Sequence, residues 1–135
     1  MQVFLTKWMA RFARKENLSH ASLCDAIARA ERGLVDADLG GGLIKQRVAR
    51  AGKGRSGGYR TIIAYRRAGR AFFLFGFAKN EKEDVGSDEL KSVREIAAIW
   101  VPADAGRIAL GIQEGELEEV QYGKEEAERS GRSDS

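Results

Sequence analysis

The chain has one cysteine, one histidine and no long apolar run, and the forty residues from Gly41 to Asn80 contain no acidic residue. Each absence excludes something. With Cys24 alone there is no internal disulfide, and a reducing, cytoplasmic setting is expected. No stretch approaches the roughly 20 apolar residues that cross a bilayer, so no membrane partner is expected. The start, MQVFLTKWMARFARKEN, lacks an unbroken apolar core and a small-residue cleavage site, so it does not read as a secretory signal. Glu16 and the helix after it argue against an organelle transit peptide. With His20 alone, a mechanism that needs two histidines is excluded.

The missing acids matter most. Between Gly41 and Asn80 there are ten Lys or Arg and no Asp or Glu. The last 55 residues reverse this, with fifteen acids against seven bases. The formal net charge of +3 therefore conceals a polarised molecule. Ordinary surfaces intersperse both signs, so an acid-free block of this length points to a polyanionic partner such as RNA. Metal-dependent phosphate chemistry needs carboxylates converging on an ion. The block supplies none, so neither metal nor other cofactor is expected. GKGRSGG is not a nucleotide-binding loop, because it lacks the GxxxxGK[ST] spacing and no helix follows.

At 135 residues one domain is expected, over 1–122, followed by a polar, disordered tail over 123–135. Phe4, Leu5, Trp8 and Phe12 recur at helical spacing and predict a first amphipathic helix. Ser19 caps a second, with Leu18 and Leu23 at staple positions, Leu23, Ile27 and Ala30 buried, and Gly33 as stop. The two make a helical hairpin. Residues 34–39 are ambiguous. Leu43 to Ala49 alternates, with Ile44 and Val48 on one face and Lys45 and Arg47 on the other. A glycine-rich basic turn over 49–58 leads to a strand from Tyr59 to Arg67. A hairpin then returns along Arg70 to Phe77, apolar on both faces and so central. Ser87 caps a third helix with Leu90, Val93, Ile96, Ala97 and Trp100 inward and Pro102 beyond its end. A short helix over 104–112 and an edge strand over 116–122 follow. Phe72, Phe73, Phe75 and Phe77 read as core, as do Trp8 and Trp100, and Cys24 as a buried structural residue.

The phrases DLGGGLIKQRVAR, GRSGGYRTIIAYR and RAFFLFGFAKNEKEDV, in this order, with the ending GELEEV, resemble the RelE/HigB-type toxins of bacterial toxin–antitoxin modules. The resemblance spans most of residues 1–122. It implies an α+β fold: an N-terminal helical hairpin and a C-terminal helix packed on a twisted antiparallel β-sheet. It also implies an endoribonuclease that enters the ribosomal A site and cuts messenger RNA. A cognate antitoxin, expected to be of helix-turn-helix type, would silence it, and operator DNA would be reached only through that antitoxin.

The residues agree with such chemistry. Attack of a ribose 2′-hydroxyl on the adjacent phosphate needs a base, cations for the phosphorane and a donor for the leaving oxygen. Clustered cations favour the neutral form of a lysine, which then moves protons near neutral pH. Arginines stabilise phosphate oxygens. By resemblance Lys45, Arg47, Arg60 and Lys79 are the catalytic candidates. Arg50, Lys53, Arg55, Tyr59, Tyr65, Arg66, Arg67 and Asn80 are candidate contacts to RNA or ribosome. Several have plainer readings: Lys53 and Arg55 as loop charges, and Arg66, Arg67 and Arg70 as solubilising residues of a hairpin turn. Some relatives carry a tyrosine soon after the last basic pair, and here that stretch, EKEDVGSDEL, has no aromatic. Tyr59 or Tyr65 could substitute if either faces the site. Two other functions stay open: a ParE-like inhibitor of DNA gyrase, and a non-catalytic nucleic-acid-binding or regulatory domain.

Overall fold

Val3, Phe4 and Leu5 are fully buried, which decides how the chain begins. Three consecutive apolar residues suit a strand covered on both faces. In the computed structural model they form β1 (Gln2–Thr6), and the first helix starts only at α1 (Lys7–Lys15). The helical spacing that seemed to begin at Phe4 is therefore corrected: Phe4 and Leu5 belong to a strand. Thr6 marks the switch, because its side chain accepts the Met9 amide at 3.3 Å and caps α1. The structure describes residues 1–50, 54–66, 69–78 and 84–123, and for residues 50 and 54–57 the backbone alone.

The remaining elements follow in order: α2 (His20–Glu31), β2 (Ala37–Gly40), β3 (Leu43–Arg50), β4 (Gly54–Tyr65), β5 (Arg70–Ala78), α3 (Ser87–Trp100), α4 (Ala105–Gln113) and β6 (Leu117–Val120). The helical hairpin is α1 and α2. Ser19 caps α2 by accepting the Ser22 amide at 3.1 Å, and Gly33, at φ +81°, ends it. The cap of α3 is Gly86 rather than Ser87; the Glu89 side chain reaches back to accept the Gly86 amide at 2.8 Å. β4 begins at Gly54, well before Tyr59, so much of the expected glycine-rich turn is strand. Asp104 caps α4.

The sheet runs β2-β3-β4-β5-β1-β6. Its pairings are antiparallel except β1 with β5, which are parallel. β5 is central, as its two apolar faces require, and β6 docks in cis on β1. One face of the sheet, with Ile44, Val48, Tyr59, Ile63 and Phe73, packs against Met9 and Ala13 of α1 and Leu23 and Ile27 of α2. The other, with Phe4, Leu43, Ile62, Ala64 and Phe72, packs against Val93, Ala97 and Trp100 of α3 and Ile108 of α4. Among the described residues no helix is long and apolar enough to cross a membrane.

Gly111 shows how closely the second layer is fitted. A Cβ there would lie 2.7 Å from the Trp100 ring and 3.4 Å from Leu117. Trp100 is buried and held by the Arg107 guanidinium, 4.6 Å above its ring. Gly→Ala in a helix ordinarily stabilises by about 1 kcal/mol. Here overpacking wins, and Gly111→Ala is expected to destabilise by about 1–3 kcal/mol in denaturant unfolding.

Candidate nucleic-acid interface

Strand register assembles the basic residues. Lys45 pairs with Ile62 and Arg47 with Arg60, so all four lie on the sheet face that α3 partly covers. On β5, Phe75 stands opposite Ile62 and Phe77 opposite Arg60. A register shift between Ile62 and Ile63 puts Leu74 and Phe75 on this same face. The α3 residues meet the Leu43–Ala64–Phe72 end. Lys45, Arg47 and Arg60 occupy the other end.

Arg60 is the unusual member. It is only 8% exposed, yet among the described residues it has no ion pair, and its Nη1 is buried without a hydrogen-bond partner. Arg29 provides an internal comparison. It is buried to 4%, but it pairs with Asp25 at 3.1 Å and Asp36 at 3.7 Å and donates to the Arg47 carbonyl. A buried charge without a partner costs on the order of several kcal/mol. Among the described residues Arg29 is fully paired, whereas Arg60 keeps Nη1 without an acceptor.

Its neighbours are less purely cationic than the sequence suggests. Lys45 Nζ donates to Asp84 at 3.0 Å, from the segment before α3. That hydrogen bond, helped by the Val85 amide, holds the Asp84 carboxyl below the usual carboxylate range. Arg47 is exposed, with its Nε 4.0 Å from Asp36, which also accepts the Arg47 amide at 2.6 Å. Both acids are absent from the basic block in sequence and are brought to it by the fold. Proximity of cations alone therefore does not describe the surroundings of Lys45.

The tyrosines turn away. Tyr59 is buried on the opposite face and donates to Glu16 at 2.8 Å. Tyr65 packs against that same opposite cluster. Both therefore pack on the face opposite Lys45, Arg47 and Arg60. Arg66 is exposed beside the β4–β5 turn, and Arg70 is committed to the Ala103 carbonyl and Gln2. His20 lies 3.6 Å from Glu118, away from the basic end. Lys53, Arg67, Lys79 and Asn80 fall outside the described residues, as do the side chains of Arg50 and Arg55. Most of the tail does so too. No cluster of three or more His, Cys, Asp or Glu among the described residues could hold a metal ion.

Two residues near the site were not singled out by pattern. Asp84 follows the basic block closely, and the only signal for it was that acids resume there. Trp8 read as core, but it is 45% exposed and stacks on Phe75 at 4.6 Å. Its signal was its position between Lys7 and Arg11.

Fold and charge together define a small α+β domain with a recessed cation at one end of a sheet face, chemically suited to an anion such as phosphate. A family model described as the RelE toxin of the RelE/RelB toxin–antitoxin system matches residues 1–120, and the chain belongs to that family. It is thus the toxin component of a toxin–antitoxin system, with an antitoxin for partner. Among curated proteins none matches it.

The unsatisfied state of Arg60 has a measurable consequence. Arg60→Met is expected to leave the melting temperature unchanged or higher, because it removes a buried charge that no acid among the described residues compensates. Inorganic phosphate should raise the melting temperature of the wild type and not of the variant. A loss of about 3–5 kcal/mol, the cost of breaking a buried ion pair, would show that the protein itself holds Arg60.

Proposed function

We propose that this chain is a ribosome-dependent endoribonuclease that cuts messenger RNA in the A site by attack of a 2′-hydroxyl on the adjacent phosphate. The observation that carries the reading is Arg60: a nine-tenths buried guanidinium with an unpartnered Nη1, on one face with Lys45 and Arg47. A phosphate oxygen supplies the missing acceptor, and the interaction strengthens as charge develops in the phosphorane. Arg47, exposed on the same face, contacts a neighbouring phosphate. Lys45 exchanges Asp84 for the substrate and carries a proton to or from the reacting oxygens. Lys79, which follows β5 directly in sequence, completes the cationic set with Asn80. The antitoxin, of helix-turn-helix type, silences the enzyme by covering or distorting the basic end, and carries it to operator DNA.

A gyrase-directed reading is favoured by one observation, the lack of any aromatic between Asn80 and Ile99 where some ribonuclease relatives have a tyrosine. The two readings separate in cells. Induced expression should arrest growth and create new message 5′ ends within translated frames, and these should vanish when translation initiation is blocked. Arg60→Ala should lower cleavage about 100- to 1000-fold, as loss of a transition-state donor does, and relieve the arrest. Arrest without new ends would favour the gyrase reading. A folded Arg60→Ala protein with full toxicity would overturn the assigned site.

A further inference from the structure

Trp8 is oddly placed for a residue of its size. Its indole stacks on Phe12 at 5.3 Å and on Phe75 at 4.6 Å, yet 45% of the residue remains exposed. The position follows from the strand order. β1 pairs with β5 only as far as Phe73, and the chain then turns into α1. Beyond Phe73, that edge of β5 carries no strand among the described residues, and Trp8 stands beside it.

The same register ties Trp8 to the basic end. Across the sheet, Lys45, Ile62 and Phe75 form one row, and Arg47, Arg60 and Phe77 the next. The Phe75 and Phe77 rings lie 6.2 Å apart. Aromatic surface therefore runs from Phe77, the cross-strand neighbour of Arg60, through half-buried Phe75 to Trp8. At about 4.8 Å per strand and about 3.3 Å per residue, two strand spacings and a two-residue offset put Trp8 on the order of 12 Å from Arg60. A dinucleotide covers such a span. Lys7 and Arg11, both exposed, lie beside Trp8 on the side of α1 that faces Leu117, Glu118 and Glu119. Aromatics interleaved with cations are the arrangement that binds single-stranded nucleic acid, by stacking bases while neutralising phosphates.

We propose that Trp8, backed by Phe75, is the platform on which a base of the RNA stacks while a nearby phosphate sits at Arg60. The proposal rests on the ribonuclease reading and adds to it a residue that positions substrate. The platform lies on α1, at the opposite end of the sequence from the stretch where the expected tyrosine is absent. Stacking is tolerant of base identity because every base offers a π-face, so Trp8 supplies affinity and placement more than sequence choice.

The test uses the full chain and a 2′-O-methyl RNA trinucleotide, which lacks the attacking hydroxyl and is not cut. It is titrated at low salt while tryptophan emission is followed. Trp100 is buried, so the change reports Trp8. Quenching is expected. Trp8→Leu should weaken binding about 5- to 150-fold, with the salt dependence of affinity unchanged. Trp8→Phe should keep most of the affinity, which separates loss of stacking from loss of folding. The same oligomer made abasic at one position should lose a comparable factor on the wild type and little more on Trp8→Leu. The platform is overturned if emission does not change or no oligomer binds. It is equally overturned if Trp8→Leu binds RNA like the wild type while losing the antitoxin, since Trp8 would then serve a protein contact. Any of these results beside Arg60-dependent message cleavage in cells would sink the platform alone. Absence of that cleavage would sink the enzyme reading beneath it.

Discussion

The parallel pairing of β1 with β5 is the constraint on which the rest of the molecule depends. Four residues of each strand are in register, from Gln2 opposite Arg70 to Leu5 opposite Phe73. That short ladder buries the first apolar run of the chain and gives β5 a neighbour on each side. It also offers β1's far edge to β6, so the last strand docks beside the first. Because the ladder stops at Phe73, α1 begins alongside the remaining half of β5. The same stop sets Trp8 of α1 against Phe75.

A second consequence concerns the two ends of one sheet face. At one end α3 closes an apolar layer over Leu43, Ala64 and Phe72. At the other, alternation along β3 and β4 turns Lys45, Arg47 and Arg60 to the same side. Arg29 and Arg60 show that burial of a guanidinium is not in itself difficult for this fold. Arg29 receives two carboxylates and a carbonyl, whereas Arg60 receives no acid among the described residues. Stability alone would favour replacing such a charge with an apolar side chain. On the proposed ribonuclease reading, the missing partner is the phosphate of the substrate. Asp84 on Lys45 fits the same picture, since an acid that neutralises a cation in the free protein can yield it to a stronger anion.

Much of this was legible in the sequence. The face of Lys45 and Arg47 followed from period-two alternation, the centrality of β5 from apolar residues on both sides, and α2 and α3 from stripes and stops. β1 was not legible, because Phe4, Leu5, Trp8 and Phe12 satisfy helical spacing while the strand ends inside that pattern. Thr6, a capping residue one position before the true helix, was the local cue. Charge misled in another way: forty residues without an acid suggested an all-cation face, yet Asp36 and Asp84 arrive from neighbouring segments. The directions of Tyr59 and Tyr65 depended on register with β3 and β5, a long-range property that local pattern does not carry.

Taken together, the sheet presents a buried cation lacking an anion among the described residues, a flexible cation shared with a carboxylate and an aromatic row alongside. The central claim is that this end of the sheet acts on a ribose phosphate. The most direct measurement is cleavage by the purified protein of a message held in the A site of programmed ribosomes. One message would be entirely ribose, and a second would carry a single 2′-deoxyribose at the nucleotide before the cut. The account predicts a product ending in a 2′,3′-cyclic phosphate from the first and none from the second. Equal cutting of both messages, or no cutting of either by a folded protein that arrests growth, would contradict it.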